Sequence, residues 1–193
     1  MRHNNVRDFE ANLLSQACTD VETEPPLQPL SGETITGAAE DGAKPDVRAR
    51  GFWRPAQNAF FDVRLTNLNA RSQAHLSTKK IFAKHEAEKK RLYNDRIMNV
   101  EHGSFTPLIF SLNGVMAPEC ERFHKYLAQK IAEKSKQKYN SVITLIRCKL
   151  SFMILRACLM CVRGSRSHTT SNSQDSTLPT DYGHAVSDAR IST

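Results

Sequence analysis

The alternation of apolar and polar side chains is clearest at Phe60-Phe61-Asp62-Val63-Arg64-Leu65. In an extended strand Phe61, Val63 and Leu65 take one face and Asp62 and Arg64 the other, so an acid and a cation stand together toward a cleft or solvent. A shorter stretch, Lys44-Pro45-Asp46-Val47-Arg48, precedes it and is joined to it through the turn-like Arg54-Pro55-Ala56-Gln57-Asn58. A hairpin through that turn brings Asp46 toward Asp62. Phe52 and Trp53 read as strand residues belonging to the core.

Helical spacing dominates elsewhere. Val6, Phe9, Leu13 and Leu14 predict a helix from Asn5 to Thr19, ended by Glu24-Pro25-Pro26 and by a loop containing Gly and Pro that runs to Pro45. Ser77 or Thr78 is a good N-cap for a second helix over Lys79 to Tyr93, a run dense in helix formers. Arg96 to Glu101 and Thr106 to Leu112 read as two further strands paired as a hairpin. Pro118 suits the first turn of a third helix, ending near Lys134, and Asn140 to Arg163 reads as a fourth, stopped by Gly164. Beyond Ser165 the chain is rich in Ser, Thr, Asn and Gln and lacks the apolar side chains needed to offset ordering entropy. The expected architecture is an α/β (α+β) domain over residues 1–166, with a small central mixed sheet of about four strands flanked by helices, and a disordered tail over 167–193.

Charge changes this picture because it is unevenly spread. The chain of 193 residues carries a formal net charge of +7. Residues 1–43 hold two basic and eight acidic side chains, a net of −6, whereas 44–102 hold thirteen against six, a net of +7. Residues 118–166 hold eleven against three, a net of +8. A basic middle of this kind attracts polyanions, nucleic acid first among them, although a solvated surface of Lys and Arg has the same composition.

No continuous apolar run follows the N-terminal Met1-Arg2-His3, so the chain reads as intracellular, nuclear or cytoplasmic, and not secreted. Val142 to Val162 contains Arg147, Lys149 and Arg156, each costing about 2.5 kcal/mol or more near a bilayer centre. It reads as an amphipathic helix, and no membrane partner is expected. Five cysteines without framework-like spacing suggest free thiols.

The order of helix, loop, strand with Asp46, strand with Asp62-Val63-Arg64, helix and strand resembles the PD-(D/E)XK, or restriction-endonuclease-like, superfamily. Pro45-Asp46 stands for its PD and Asp62-x-Arg64 for its (D/E)-x-K. More extensive is a resemblance to the C-terminal region that follows the reverse transcriptase in some invertebrate non-LTR retrotransposon polyproteins. It is carried by Leu27-Gln28-Pro29-Leu30-Ser31-Gly32-Glu33, Ala59-Phe60-Phe61-Asp62-Val63-Arg64, Glu88-Lys89-Lys90-Arg91-Leu92-Tyr93-Asn94, Glu101-His102-Gly103-Ser104-Phe105-Thr106-Pro107-Leu108 and Cys161-Val162-Arg163-Gly164-Ser165-Arg166. It runs from about Arg2 to Arg166.

The resemblance implies a domain that hydrolyses phosphodiester bonds in DNA, set beside a reverse transcriptase in a longer polyprotein. It implies Asp46 and Asp62 as ligands of one or two Mg²⁺ (or Mn²⁺) ions, with Glu33 completing the coordination and Arg64 stabilising charge on the phosphorane. Lys89 or Lys90, with Tyr93 one turn on, would line the cleft or grip the scissile phosphate. Arg48, beside Asp46, joins the candidate nucleic-acid contacts. Two departures stand out: Arg64 replaces the lysine and cannot act as a base, and Asn5 stands where related segments carry an acid.

Lys149, Arg156 and Arg163 recur every seven residues on one face of the last helix, where they either track phosphates or form the polar stripe opposite Leu150, Ile154, Leu155, Leu159 and Val162. Asp46 and Asp62 also have a plain alternative, as strand residues paired with Arg48 and Arg64. A zinc site on Cys158-Leu159-Met160-Cys161 would need Cys120 and His124 as well, and buried thiols are the simpler reading. Two rivals to the nuclease remain: a catalytically inactive basic module that binds nucleic acid, and an inert remnant of a mobile element.

Overall fold

A computed structural model describes residues 2–28 and 44–166. Four helices enclose a four-stranded mixed sheet, a mixed α/β architecture. Helix α1 (Arg2–Ala17) leads into β1 (Thr19–Thr23), followed by β2 (Val47–Arg50) and β3 (Asn58–Thr66). A 3₁₀ turn at Arg71–Gln73 then precedes α2 (Thr78–Asn99), β4 (Ser104–Ser111), α3 (Pro118–Ser135) and α4 (Tyr139–Arg166).

The strands lie in the order β1-β2-β3-β4. The first three form an antiparallel meander in which Val47 pairs with Phe61 and Arg50 with Asn58. β4 runs parallel to β3 from Ala59↔Ser104 to Thr66↔Ser111, with α2 as the crossover. The expected hairpin between Arg96–Glu101 and Thr106–Leu112 is therefore overturned. Arg96 to Asn99 belong to α2, because Ile97 continues the inward stripe of Phe82, His85 and Tyr93 by one more turn. β1 had no strand signal, since Thr19-Asp20-Val21-Glu22-Thr23 is a half-exposed edge strand with one apolar residue. Phe52 and Trp53 lie in the β2–β3 turn rather than in a strand.

The alternation along β3 holds. Phe61 and Val63 join the main core with Val6 and Leu14 of α1, Phe123 and Leu127 of α3, and Ile146 and Leu150 of α4. Phe60 faces the other way, into a small cluster with Tyr93, Ile97 and Phe105 under α2. Although it lies in a turn, Phe52 is fully buried, with its ring edge-on to Phe61 at 5.3 Å. Gly103 is needed at the entry to β4, because a Cβ there would stand 2.8 Å from the Phe60 ring and 2.9 Å from the Asn58 carbonyl. Among the described residues no helix is long and apolar enough to cross a membrane.

Candidate functional site

Helix α2 lies over β4 and reaches β3 through long side chains. Its inward stripe runs Phe82, His85, Lys89, Tyr93, Ile97, so a cation falls in the middle of an otherwise apolar or aromatic face. Beneath it β3 presents Asp62, Arg64 and Thr66, and the two elements meet as a ladder of polar pairs. Lys89 Nζ stands 2.8 Å from Asp62 Oδ2, Arg64 Nη1 donates to Glu88 Oε2 at 2.9 Å, and Thr66 Oγ1 lies 3.1 Å from His85 Nε2.

Asp62 is therefore not turned to solvent, as strand alternation alone suggests, because α2 closes over that face and leaves it 3% exposed. Burial pushes its carboxyl above the usual carboxylate range, with Lys89 pulling the other way and the nearby Asp46 charge adding to the rise. Its Oδ2 has no aligned hydrogen bond, so the contact with Lys89 is an ion pair alone.

Asp46, 7% exposed, lies one residue before the Val47↔Phe61 pair, a register that sets it against Asp62. Its Oδ2 accepts from the Val63 backbone N–H at 2.6 Å and from His3 Nε2 at 2.9 Å. The same His3 nitrogen lies 2.8 Å from the Val63 carbonyl, so it carries a proton toward both oxygens. The hydrogen bond to Asp46 is the main reason the His3 imidazole is raised above its ordinary value, against burial. Tyr93 completes the group. Its hydroxyl donates to the Lys44 carbonyl at 3.1 Å, and burial followed by the Asp62 charge drives its phenol far above the ordinary value.

The structure thus brings Asp46, Asp62, Lys89 and Tyr93 together and adds His3, which strand and helix patterns do not reveal because it reaches the site from the N-terminus of α1. Other candidates lie elsewhere. Arg64 turns along the ladder to Glu88, away from Asp62, because Lys89 occupies that position. Arg48 pairs with Glu22 across the β1–β2 ladder at 2.7 Å. Lys90, next to Lys89 but on a different helix face, pairs with Glu119 at the start of α3. Lys149 and Arg156 are exposed on α4, in the helical layer on the far side of the sheet from α2. Arg163 also belongs to α4, and its side chain lies outside the described residues, as does Glu33. Cys120 and His124 do stand together, with Sγ 3.6 Å from Nδ1, but His124 Nε2 is committed to Glu10 at 3.0 Å and Cys161 lies outside the described side chains.

Asp46 and Asp62 offer two adjacent hard oxygen donors, and the buried Oδ2 of Asp62, which has only the Lys89 ammonium against it, is the atom that a metal ion would share with that lysine. The pair therefore fits a Mg²⁺-type ion as two of its ligands. Among the described residues no third His, Cys, Asp or Glu joins them in a cage. Compared with known proteins, the chain matches no family model and no curated protein sequence.

Proposed function

We propose that this chain is a metal-dependent, nuclease-like domain of the PD-(D/E)XK type that hydrolyses phosphodiester bonds in DNA. The observation that carries the reading is the contact of Lys89 Nζ with Asp62 Oδ2 beside Asp46, which lies just before the adjoining strand β2. Two carboxylates and a cation at the middle of a mixed sheet have the composition that such chemistry needs, and the order α1-β1-β2-β3-α2-β4 agrees with the resemblance.

In this reading Asp46 and Asp62 hold Mg²⁺ or Mn²⁺, which when bound polarises a phosphate oxygen and acidifies water. Lys89, rather than Arg64, takes the place of the motif's lysine and stabilises negative charge on the transferring phosphate. His3 and the Val63 N–H fix the Asp46 carboxylate, and Tyr93 holds the Lys44 carbonyl at the rim. A polyprotein setting beside a reverse transcriptase belongs to the same proposal, with nuclear or cytoplasmic action.

A second reading has its own support. Lys89 already meets the charge of Asp62, and His3 with Val63 N–H already meets that of Asp46, as in a carboxylate pair kept for structure. The domain would then bind nucleic acid without cutting it.

The test is cleavage of labelled single- and double-stranded DNA, with RNA in parallel, in Mg²⁺ or Mn²⁺. The wild type is compared with Asp46→Ala and Asp62→Ala variants shown to be folded. Cleavage that vanishes in both variants while binding persists supports the nuclease. An inert wild type whose binding neither substitution alters establishes the binding module instead.

A further inference from the structure

A concavity of about 400 Å³ opens where β4 begins, at the outer edge of the sheet. Lys90, Asn94 and Met98 of α2 form one wall, Arg122 of α3 the other, and Trp53, Arg54 and Gln57 of the β2–β3 turn close one end. Three cations line it and no carboxylate does. Lys90 is spoken for by Glu119 just outside, which leaves Arg54 and Arg122 as the charge facing the space. Arg54 is exposed at the turn and forms no ion pair among the described residues. The Arg122 guanidinium lies 5.3 Å from the Trp53 ring centre, and that indole stacks on Tyr126 with centres 5.0 Å apart, so both cation and ring are held in place.

Two hydroxyls at the base of the groove have unused capacity. Ser104 Oγ is buried with no hydrogen-bond partner. Thr106 Oγ1, on a residue 2% exposed, accepts the Trp53 indole N–H at 3.0 Å, and no described acceptor takes its own proton. Buried hydroxyls are costly to leave unpaired, and an anion with several acceptor oxygens would satisfy both. The faces of Trp53 are already used by Tyr126 and Arg122, which argues for a contact with phosphate rather than a stacked base.

We propose that this groove grips a phosphate of a nucleic-acid strand through Arg54 and Arg122, with the Ser104 and Thr106 hydroxyls as donors. It is separate from the Asp46–Asp62 pair and does not depend on hydrolysis there.

Trp53 is the chain's one tryptophan, so its emission reports on this groove. The experiment titrates the full chain with a short single-stranded oligonucleotide in EDTA, following Trp53 emission and the anisotropy of the labelled strand together. Mononucleotide and inorganic phosphate are run as separate arms. The expected result is an emission change that saturates with strand binding. Arg54→Ala should lower the slope of log affinity against log salt by about 0.7, the contribution of one phosphate contact on a single strand, while Arg54→Lys retains it and Arg71→Ala on the 3₁₀ turn leaves it unchanged. Strand binding that leaves Trp53 emission and the Arg54→Ala slope unaltered would overturn the proposal. So would a mononucleotide or phosphate that saturates the groove as tightly as the strand, since the site would then serve a free anion. EDTA suppresses any cleavage, so failure of the nuclease reading leaves this outcome intact.

Discussion

Inside the contact of α1 with α3, His124 presents both ring nitrogens to acceptors: Nδ1 lies 2.9 Å from the Cys120 carbonyl and Nε2 3.0 Å from Glu10 Oε1. An imidazole can donate twice only when protonated, so geometry and charge agree. Burial works against the cation, but Glu10 outweighs it and the imidazole is raised above its ordinary 6.5, with the more distant Arg147 opposing. A raised value in the folded state means that the pair's stabilisation is complete below about pH 6.5 and is lost as pH rises through the folded-state value. His124→Gln should therefore flatten the dependence of thermal midpoint on pH above 6.5, a comparison that differential scanning calorimetry makes directly. Lys89 gives a second expectation. Removing one partner of a buried ion pair leaves an uncompensated charge, so Lys89→Met should cost about 3 kcal/mol in urea unfolding, and Lys89→Met with Asp62→Asn should recover much of it. If the double variant is no more stable than Lys89→Met alone, the ion pair is not what Lys89 contributes to stability.

At the level of elements, the helices were the most legible part. α3 and α4 fall within a few residues of their predicted limits, because Pro118 suits a first turn and the apolar stripes keep a 3.6 period, but Gly164 does not stop α4, which runs through it to Arg166. α2 was legible at its start, where Ser77 Oγ accepts from the Lys80 N–H, but not at its end, since Arg96-Ile97-Met98 has no composition that separates a last helical turn from a strand. That one boundary turned a parallel crossover into an expected hairpin. The end of α3 carries a local strain that is easily tested. Lys136 caps it in the left-handed region, at φ 55° and ψ 33°, a conformation that glycine adopts without steric cost. Lys136→Gly should stabilise the protein by about 0.5–1 kcal/mol in chemical denaturation, and a loss of stability would show that the Lys136 side chain makes a compensating contact.

On the scale of the whole molecule, the site was legible in half. Asp46 and Asp62 could be brought together from strand register, and Lys89 and Tyr93 from helix spacing, whereas His3 joins them across a separation that no local pattern encodes. The exchange of Arg64 for Lys89 as the cation at Asp62 was likewise hidden, because it depends on how far α2 stands from β3. Trp53, which the sequence offered only as core, meets Arg122 through the same kind of distant packing.

The route by which the sheet is completed has a consequence for how the molecule is made. β1, β2 and β3 are neighbours in sequence order, but β4 joins β3 only after the whole of α2 has been traversed, with Ala59 paired to Ser104. Contacts over such separations are slow to form, because loop closure must be met before pairing rewards it. During synthesis the meander carrying Asp46 and Asp62 leaves the ribosome before α2 and β4, with β3 still an open edge and Asp62 not yet covered by α2. Desolvation of Asp62 then coincides with docking of α2 and β4, so the step that buries its charge against Lys89 is also the step that pairs the open edge of β3.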